Sequence, residues 1–535
     1  MSGRLGIDFG TSNTVVAAWD AIREVAEPVH VPEYGRQLTY HRGNDESETI
    51  SIIPSLIHYA AVDQRWLGNQ VRVQNLVESD RTFRWMKRYI SNRSPVKQIL
   101  GDSQLSHFDA GRDFLSAILA FAAAELQIQE EEVAFTVPVE AYEHYENWLA
   151  DVADDAGMPR MRLIDEPSAA ALGYGAHVQP GNVYLVFDFG GGTLDVVVVL
   201  IEESETAALG RRCRVLGKAG ASVGGMTIDQ YIYQAVLEEN DRSDSEDDVR
   251  QISRTLLAEC ERAKEHLSAH PRAEIAAMNP DTGAILGLEL TRSRFEEILD
   301  EHNVLTEIDR SIRSAINASR ERGYAEEHIH TVLMVGGSSL IPCVRRTVQR
   351  IFGRDRVRLD RPLDAVARGA AAFVSGVDFY DHIQHSYAIR YIDPKKGDYA
   401  YRELVPRGTP YPSRDPVARM TVKGSFDGQT QLGIAIYEMG ATRQLHGQRP
   451  MELVFDPSGA ARVMQVSADE QERRTHFWIN EKNPTFLLAD PPAKQGEARF
   501  DVEFGIDGNK RLLITARDTI SRSLALKDVP VVKLT

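Results

Sequence analysis

Two apolar runs of the same construction organise the chain. In Leu185-Val-Phe-Asp-Phe-Gly-Gly-Gly-Thr-Leu-Asp-Val-Val-Val-Val199 an apolar, β-branched run reaches Asp188, three glycines follow, and a second apolar run leaves from Asp195. That pattern predicts strand, tight turn, strand. Leu5-Gly-Ile-Asp-Phe-Gly-Thr-Ser-Asn-Thr-Val-Val-Ala-Ala18 repeats the order, with Asp8 in the place of Asp188 and the hydroxyls of Thr11 and Ser12 in the turn. A second pair follows the same logic. Val133-Ala-Phe-Thr-Val-Pro138, an amphipathic helix, Met161-Arg-Leu-Ile-Asp-Glu-Pro167 and a small-residue helix from Ser168 to Tyr174 match a later stretch in order. The later stretch is Thr331-Val-Leu-Met-Val-Gly-Gly337, a helix from about Ile341, Arg356-Val-Arg-Leu-Asp360 and a small-residue helix from Leu363 to Val374. Two similar α/β lobes are expected.

Between these units the periodicity changes. Asp20 to Glu48 reads as polar and irregular, and Thr49 to Ile57 returns to strand character. Phe114, Leu115, Ile118, Leu119, Ala122 and Leu126 predict a packed helix over Gly111–Gln127. After the acidic run Glu238–Asp248, with Ser245 as a cap candidate, Val249, Ile252, Leu256, Cys260, Ala263 and Leu267 predict another. Glu261, Lys264, Glu265 and Ser268 share a different face of that helix and could reach into a cleft together. On spacing alone they equally fit a salt-bridged surface.

Near Phe373–Tyr380 the α/β pattern stops. Short strands follow over Ser386–Ile392, Arg419–Phe426, Gln431–Tyr437, Met451–Phe455, Ala461–Val466, Arg499–Phe504 and Arg511–Ala516. Turn signals stand at Asp415-Pro, Asp456-Pro-Ser-Gly and Asp490-Pro-Pro. An antiparallel β-sandwich is expected there.

Composition excludes more than it assigns. A length of 535 residues exceeds one core, and a net charge of −17 argues against nucleic acid or an anionic membrane as partner. Cys213, Cys260 and Cys343 lie far apart, so neither a disulfide framework nor a zinc site is implied. His266 with His270 and His382 with His385 read as solvated. There is neither a signal-type start nor an apolar run of about 18 residues, and the expectation is cytoplasmic. No GxxxxGK[ST] stretch occurs, which excludes a P-loop enzyme.

The chemistry sits in the glycine turns. Glycine lets main-chain N–H groups approach an anion, Thr193 adds a hydroxyl, and Asp188 and Asp195 could hold a hydrated cation beside it. Two such turns across a cleft would grip a polyphosphate from both sides. In Arg81–Ile90, Lys87 and Arg88 read by composition as a solvated basic face with snorkelling stems.

Taken together, Ile7-Asp-Phe-Gly-Thr-Ser-Asn-Thr, Leu163-Ile-Asp-Glu-Pro-Ser-Ala-Ala-Ala-Leu-Gly-Tyr-Gly175, Phe187-Asp-Phe-Gly-Gly-Gly-Thr-Leu-Asp195, Cys260-Glu-Arg-Ala-Lys264 and Val335-Gly-Gly-Ser-Ser339 resemble the 70-kDa heat-shock, DnaK-type chaperones of the actin-like ATPase superfamily. Leu404-Val-Pro-Arg-Gly-Thr-Pro410 and the strands near Ile506–Asp518 resemble that family's peptide-binding sandwich more loosely. The resemblance implies a two-lobed actin-like, ribonuclease H-like ATPase domain over 1–376, a linker over 377–383 and an antiparallel β-sandwich over 384–535. The family continues from there into a helical lid, whereas the sequence stops with the last strand at Thr535, so the expectation is either a truncated chain or a member with no helical lid. It implies a slow ATPase using ATP/ADP and Mg²⁺, active in protein folding and the stress response. Its partners would be unfolded or extended polypeptides, and it admits a J-domain co-chaperone and a nucleotide exchange factor.

Roles follow position by position. Gly10, Thr11, Ser12 and Asn13 resemble the first phosphate loop, and Gly190, Gly191, Gly192 and Thr193 the second. Asp8 and Asp188 resemble the carboxylates that hold Mg²⁺ through water, and Lys87 the lysine beside the γ-phosphate. Glu166 resembles the acid that orients or accepts from the attacking water; the catalytic set is Lys87, Glu166, Asp188 and Thr193. Gly224, Glu261, Lys264, Ser268, Gly337 and Ser338 would surround ribose and adenine, and Pro138 and Arg162 match positions that relay nucleotide state. Arg162 equally fits a structural salt bridge.

Departures qualify this. Glu265 and Leu340 stand where the family places two adenine-sandwiching arginines, Leu363 replaces an acid near the ribose, and Val377-Asp-Phe-Tyr-Asp381 replaces the Leu-rich linker. They motivate an alternative, a nucleotide-gated partner-binding or regulatory module with little or no turnover. A small-molecule kinase is disfavoured, since it needs no C-terminal sandwich.

Overall fold

The computed structural model describes residues 4–534 apart from 42–46, 62–63, 101–102, 127–131, 140, 159, 176–177, 204–210, 381, 384, 393–398, 414, 440–450, 456–460, 466–475, 482–483 and 508–509. The chain forms two compact units. The first comprises Met1–Val139, Trp148–Tyr380 and Pro450–Gln465, the second Glu140–Asn147, Asp381–Arg449 and Val466–Thr535.

The first unit repeats one sheet plan. In one lobe the strands run in the order Met161–Asp165, Val133–Val137, Leu5–Phe9, Asn13–Asp20, Ser47–Pro54 and Arg36–His41, with Val25–Pro28 also paired to Asn13–Asp20. In the other the order is Val357–Arg358, Ile329–Val335, Val183–Phe189, Leu194–Glu203, Arg211–Ala221 and Asp378–Tyr380. Each glycine-turn hairpin is antiparallel, and its first strand pairs in parallel with the strand that follows a helical crossover. Val183–Phe189 is buried throughout, as a central strand covered on both faces must be.

Two small-residue helices, Glu166–Gly173 and Ala365–Val374, pack against each other between the sheets. Asp165 caps the first by accepting from Ser168 N–H at 2.8 Å, and Pro167 sits in its first turn. The alanine runs leave their backbones free to approach closely. The long helix Asp247–Ala269 buries all six residues of its expected stripe. Its N-cap is Glu246 rather than Ser245, and no side chain closes the cap; Arg242 instead pairs with Glu246 and Asp248.

Several expectations are corrected. The stretch Asp20–Glu48 carries the strands Val25–Pro28 and Arg36–His41, on which Glu27, Gln37 and Thr39 are exposed. Arg356–Asp360 contributes only the two-residue strand Val357–Arg358. Residues 378–380 pair in parallel with Arg212–Arg214 as an edge strand.

In the second unit the strands Tyr399–Val405, Ser386–Ile392, Ile436–Met439 and His476–Trp478 form one antiparallel sheet, and Ala418–Lys423, Ala498–Ile506, Arg511–Asp518 and Leu524–Lys533 another. Tyr387, Leu404, Ile436, Phe500, Phe504 and Ile514 belong to their common core. Asp490-Pro-Pro is not a turn: it lies in the strand Thr485–Ala493, at the irregularity where pairing with Gln429–Ile434 is interrupted. Prolines lack the N–H that a regular ladder needs there. The Asp456 turn lies outside the described residues. His385, expected in solvent, is buried and its Nδ1 is 2.9 Å from Glu438 Oε1. No helix among the described residues is long and apolar enough to cross a membrane.

Candidate functional site

Asp8 and Asp188 sit near the carboxyl ends of the two central strands, and the glycine turns follow immediately. The pseudo-repeat therefore brings both turns to one place in the first unit. A Cβ on Gly191 would lie 2.8 Å from Ser12 Oγ, and one on Gly192 2.6 Å from Thr11 Oγ1. The turns face each other at contact distance, and a side chain in the second would fill the space between them.

Each turn is held from behind. Ser55 Oγ donates to Gly10 O at 2.8 Å and lies 2.9 Å from Thr14 Oγ1, and Asn13 opens the outgoing strand. In the second turn Gly190 N–H donates to Thr193 O at 3.0 Å. The helix Gly225–Glu239 starts against it: Gly225 N–H donates to Gly190 O at 3.0 Å and Met226 N–H to Gly191 O at 2.8 Å. Gly224 makes this approach possible, since a Cβ there would come within 2.6 Å of Gly192 C. Ser338 Oγ adds a bond to Gly190 O at 2.9 Å, while Gly337 is exposed.

Behind the turns lies a charged interior. Lys87, 5% exposed on the helix Met86–Ser91, pairs with Glu166 at the start of its own helix. The solvated-face reading of Lys87 is overturned. Thr136 Oγ1 donates to Asp8 Oδ1 at 2.9 Å. Asp195, 1% exposed, stands directly opposite Asp188 in the hairpin. Burial raises the Asp8 carboxyl, with Lys87 and Thr136 opposing. Burial also raises Glu166, against Lys87 and with Asp8. Asp188 is pushed well above the usual carboxylate range by burial first, then by Glu166, Asp195 and Asp8. Lys87 opposes the rise at Asp8, Glu166 and Asp188 alike, and the crowding of carboxyls around it is one that a cation would relieve.

The rim is built from paired charges. Arg84 pairs with Glu261, and its guanidinium carbon lies 4.0 Å from the centroid of the Trp85 ring. Burial works to raise Glu261, but Arg84, Lys264 and Arg72 outweigh it and hold the carboxyl below its ordinary value. Lys264 Nζ lies 2.8 Å from Asp229 Oδ1 and donates to Gly225 O at 3.0 Å. Asp229, 1% exposed, is pushed up to about 7 by burial, with Lys264 opposing and Glu261 reinforcing. Of the helix face considered above, Glu261 and Lys264 take part in these pairs. Ser268 Oγ turns back to Lys264 O at 3.4 Å, and Glu265 is exposed. Leu340 packs against the second-lobe core, and Leu363 lies beside Gly337. Pro138 follows the strand Val133–Val137 and is buried. Arg162 lies over the Phe373 ring at 3.8 Å and donates to Phe373 O at 3.4 Å, linking strand to crossing helix.

Sequence reasoning missed Arg84, Asp229, Ser55 and Thr136. Only Asp229 had a local signal, an acid in the helix that Gly224 opens; the others are brought in by strands distant in sequence.

A family description, Hsp70 protein, matches residues 96–439. The chain belongs to the Hsp70 family. This Hsp70 is also similar to the chaperone protein DnaK of Deinococcus proteolyticus, at 27% identity over 97% of this chain and 77% of that relative. It is therefore a member of a chaperone family, and the two-lobed unit with a β-rich second unit agrees with that membership. Among the described residues no three His, Cys, Asp or Glu side chains converge closely enough to ligate a metal directly.

Proposed function

We propose that this Hsp70-family chain binds Mg-ATP between the lobes of its first unit, hydrolyses it slowly, and lets nucleotide state set the affinity of its second unit for extended, apolar polypeptide. The observation that carries the reading is the meeting of two glycine turns over Lys87, Glu166, Asp8 and Asp188. The N–H groups of Gly10–Asn13 and Gly190–Thr193 would hold the phosphates. The donor set suits Mg²⁺, because Asp8 and Asp188 are hard oxygen donors in a site with excess negative charge. When bound, the ion would neutralise charge on the phosphates.

The protein's own part is positioning. Lys87 would face the charge that develops on the transferred phosphoryl group, and its pair with Glu166 would hold that acid in place to orient a water. Thr136 would hold Asp8 in one rotamer. Lys264, Glu261 and Ser338 would frame the nucleoside. In the second unit, peptide main chain would bond to strand edges and an apolar pocket would take a side chain.

Single-turnover hydrolysis of ATP, followed with peptide release in parallel, tests this. Hydrolysis that peptide accelerates, with faster release in ATP than in ADP, is the expected result. Tight ATP binding with no turnover would overturn it in favour of a nucleotide-gated binding module.

A further inference from the structure

We propose that Lys218, a residue of the second lobe, positions Glu166 by gripping the carboxylate that caps the Glu166–Gly173 helix. The inference rests on the reading of Glu166 as the acid that orients water. Lys218 Nζ donates to Asp165 Oδ2 at 2.7 Å, and both side chains are only 6% exposed. The other oxygen, Asp165 Oδ1, accepts from Ser168 N–H at 2.8 Å. One carboxylate therefore serves two lobes: it closes the helix whose first residue is Glu166, and it is anchored to the strand Arg211–Ala221.

That strand is not an arbitrary anchor. Lys218 stands opposite Val197 on Leu194–Glu203, the strand that leaves the second glycine turn. Any rotation of the second lobe that moves Thr193 moves Lys218 with it. The pair thus links the place of the phosphate loop to the place of Glu166. Its charge matters as well as its reach. Without Lys218 a buried Asp165 carboxylate would lose its cation next to Glu166, whose carboxyl is already raised by burial and by Asp8.

Three full-length variants test the link: Lys218→Met, Lys218→Arg and the double variant Asp165→Asn with Lys218→Met. Asparagine still accepts from Ser168 N–H, so the double variant keeps the cap and removes the stranded charge. Expected for Lys218→Met is a fall of roughly tenfold or more in the single-turnover rate at saturating Mg-ATP. Its Mg-ADP affinity should stay within about twofold, and the acid limb of its pH–rate profile should move to higher pH. Lys218→Arg and the double variant should each recover most of the rate. A purely structural pair would lower thermal stability and leave the rate at saturation and the pH profile unmoved, and that result overturns the proposal.

Hydrogen exchange of the segment containing residues 165–173 gives a reading independent of turnover. Faster exchange in Lys218→Met, restored in the double variant, supports positioning even if the wild-type chain hydrolyses nothing, in which case only the reading of Glu166 fails. Unchanged exchange overturns the link.

Discussion

A Cβ placed on Gly369 would lie 1.6 Å from the carbonyl oxygen of Ala169. The reciprocal contact is nearly as close, since a Cβ on Gly173 would lie 1.8 Å from Ala365 O. The two crossing helices therefore touch backbone to backbone, and the strand beneath adds Gly6, whose Cβ would meet Ala371 N at 2.2 Å. Alanine is the better helix former by about 1 kcal/mol. Here the clash is with backbone and outweighs it. Gly369→Ala should destabilise the first unit by roughly 3 kcal/mol or more. Thermal unfolding with and without Mg-ADP is the check, and a midpoint at or above that of the wild type would refute the close crossing.

Lys87→Ala should separate binding from chemistry. Its ammonium opposes the charge of Asp8, Glu166 and Asp188, and removing a single such charge donor typically lowers a rate by about 10²–10³-fold. Nucleotide should still bind, because the glycine turns are held by Ser55, Thr14, Ser338 and main chain rather than by Lys87. Calorimetry of Mg-ADP binding beside single-turnover hydrolysis measures both. Wild-type turnover in Lys87→Ala would remove Lys87 from the site.

Much of this was legible because it is local. The doubled strand–turn–strand pattern forecast two sheets of one plan, and the stripe from Val249 to Leu267 forecast a buried helix face, since both periodicities are set by backbone geometry. What spacing could not carry was partnership. Arg84 and Glu261 are separated by 177 residues and meet only once the lobes have formed, and Lys218 meets Asp165 across 53. Their local sequences look like ordinary surface charge. The polar strand Arg36–His41 was missed for a related reason: only Leu38 and Tyr40 turn to the core between exposed Gln37 and Thr39, too short an alternation to stand out before pairing with Ser47–Pro54 makes it a strand. His385 shows the converse, a polar residue whose burial depends on Glu438, 53 residues away.

The Arg84–Glu261 pair joins the lobes at the rim, so it should matter more to nucleotide residence than to chemistry. Both side chains are largely buried, at 9% and 15% exposure. Truncating either partner strands a charge, whereas removing both does not. In a cycle of Arg84→Met, Glu261→Gln and the double variant, a coupling of about 1–3 kcal/mol in Mg-ADP affinity is expected. The faster nucleotide dissociation of the single variants should be partly reversed in the double. Additive effects would show that the two residues act separately.

In the second unit, Glu143 offers a test by pH. Burial first, and then Glu438, push its carboxyl up to about 8 from an ordinary value of 4.5, with Asn147 opposing and Glu146 adding to the rise. Glu438 is itself buried, accepts from Tyr387 OH at 2.9 Å and from Glu143 N–H at 3.2 Å, and lies 2.9 Å from His385 Nδ1. Lys533 pulls Glu143 down, though not enough to cancel the other effects. The folded form thus binds a proton that the unfolded chain releases near 4.5. A raised folded value means that the stabilisation is fully present below the unfolded value and is lost as pH rises through about 8. Glu146, also raised by burial, acts in the same direction. Wild-type protein should therefore lose thermal stability between about pH 5 and about pH 9. Glu143→Gln, a neutral side chain of the same shape, should match it near the acid end and exceed it near the alkaline end. Parallel curves for the two proteins across that window would show that Glu143 is ionised in the folded state throughout.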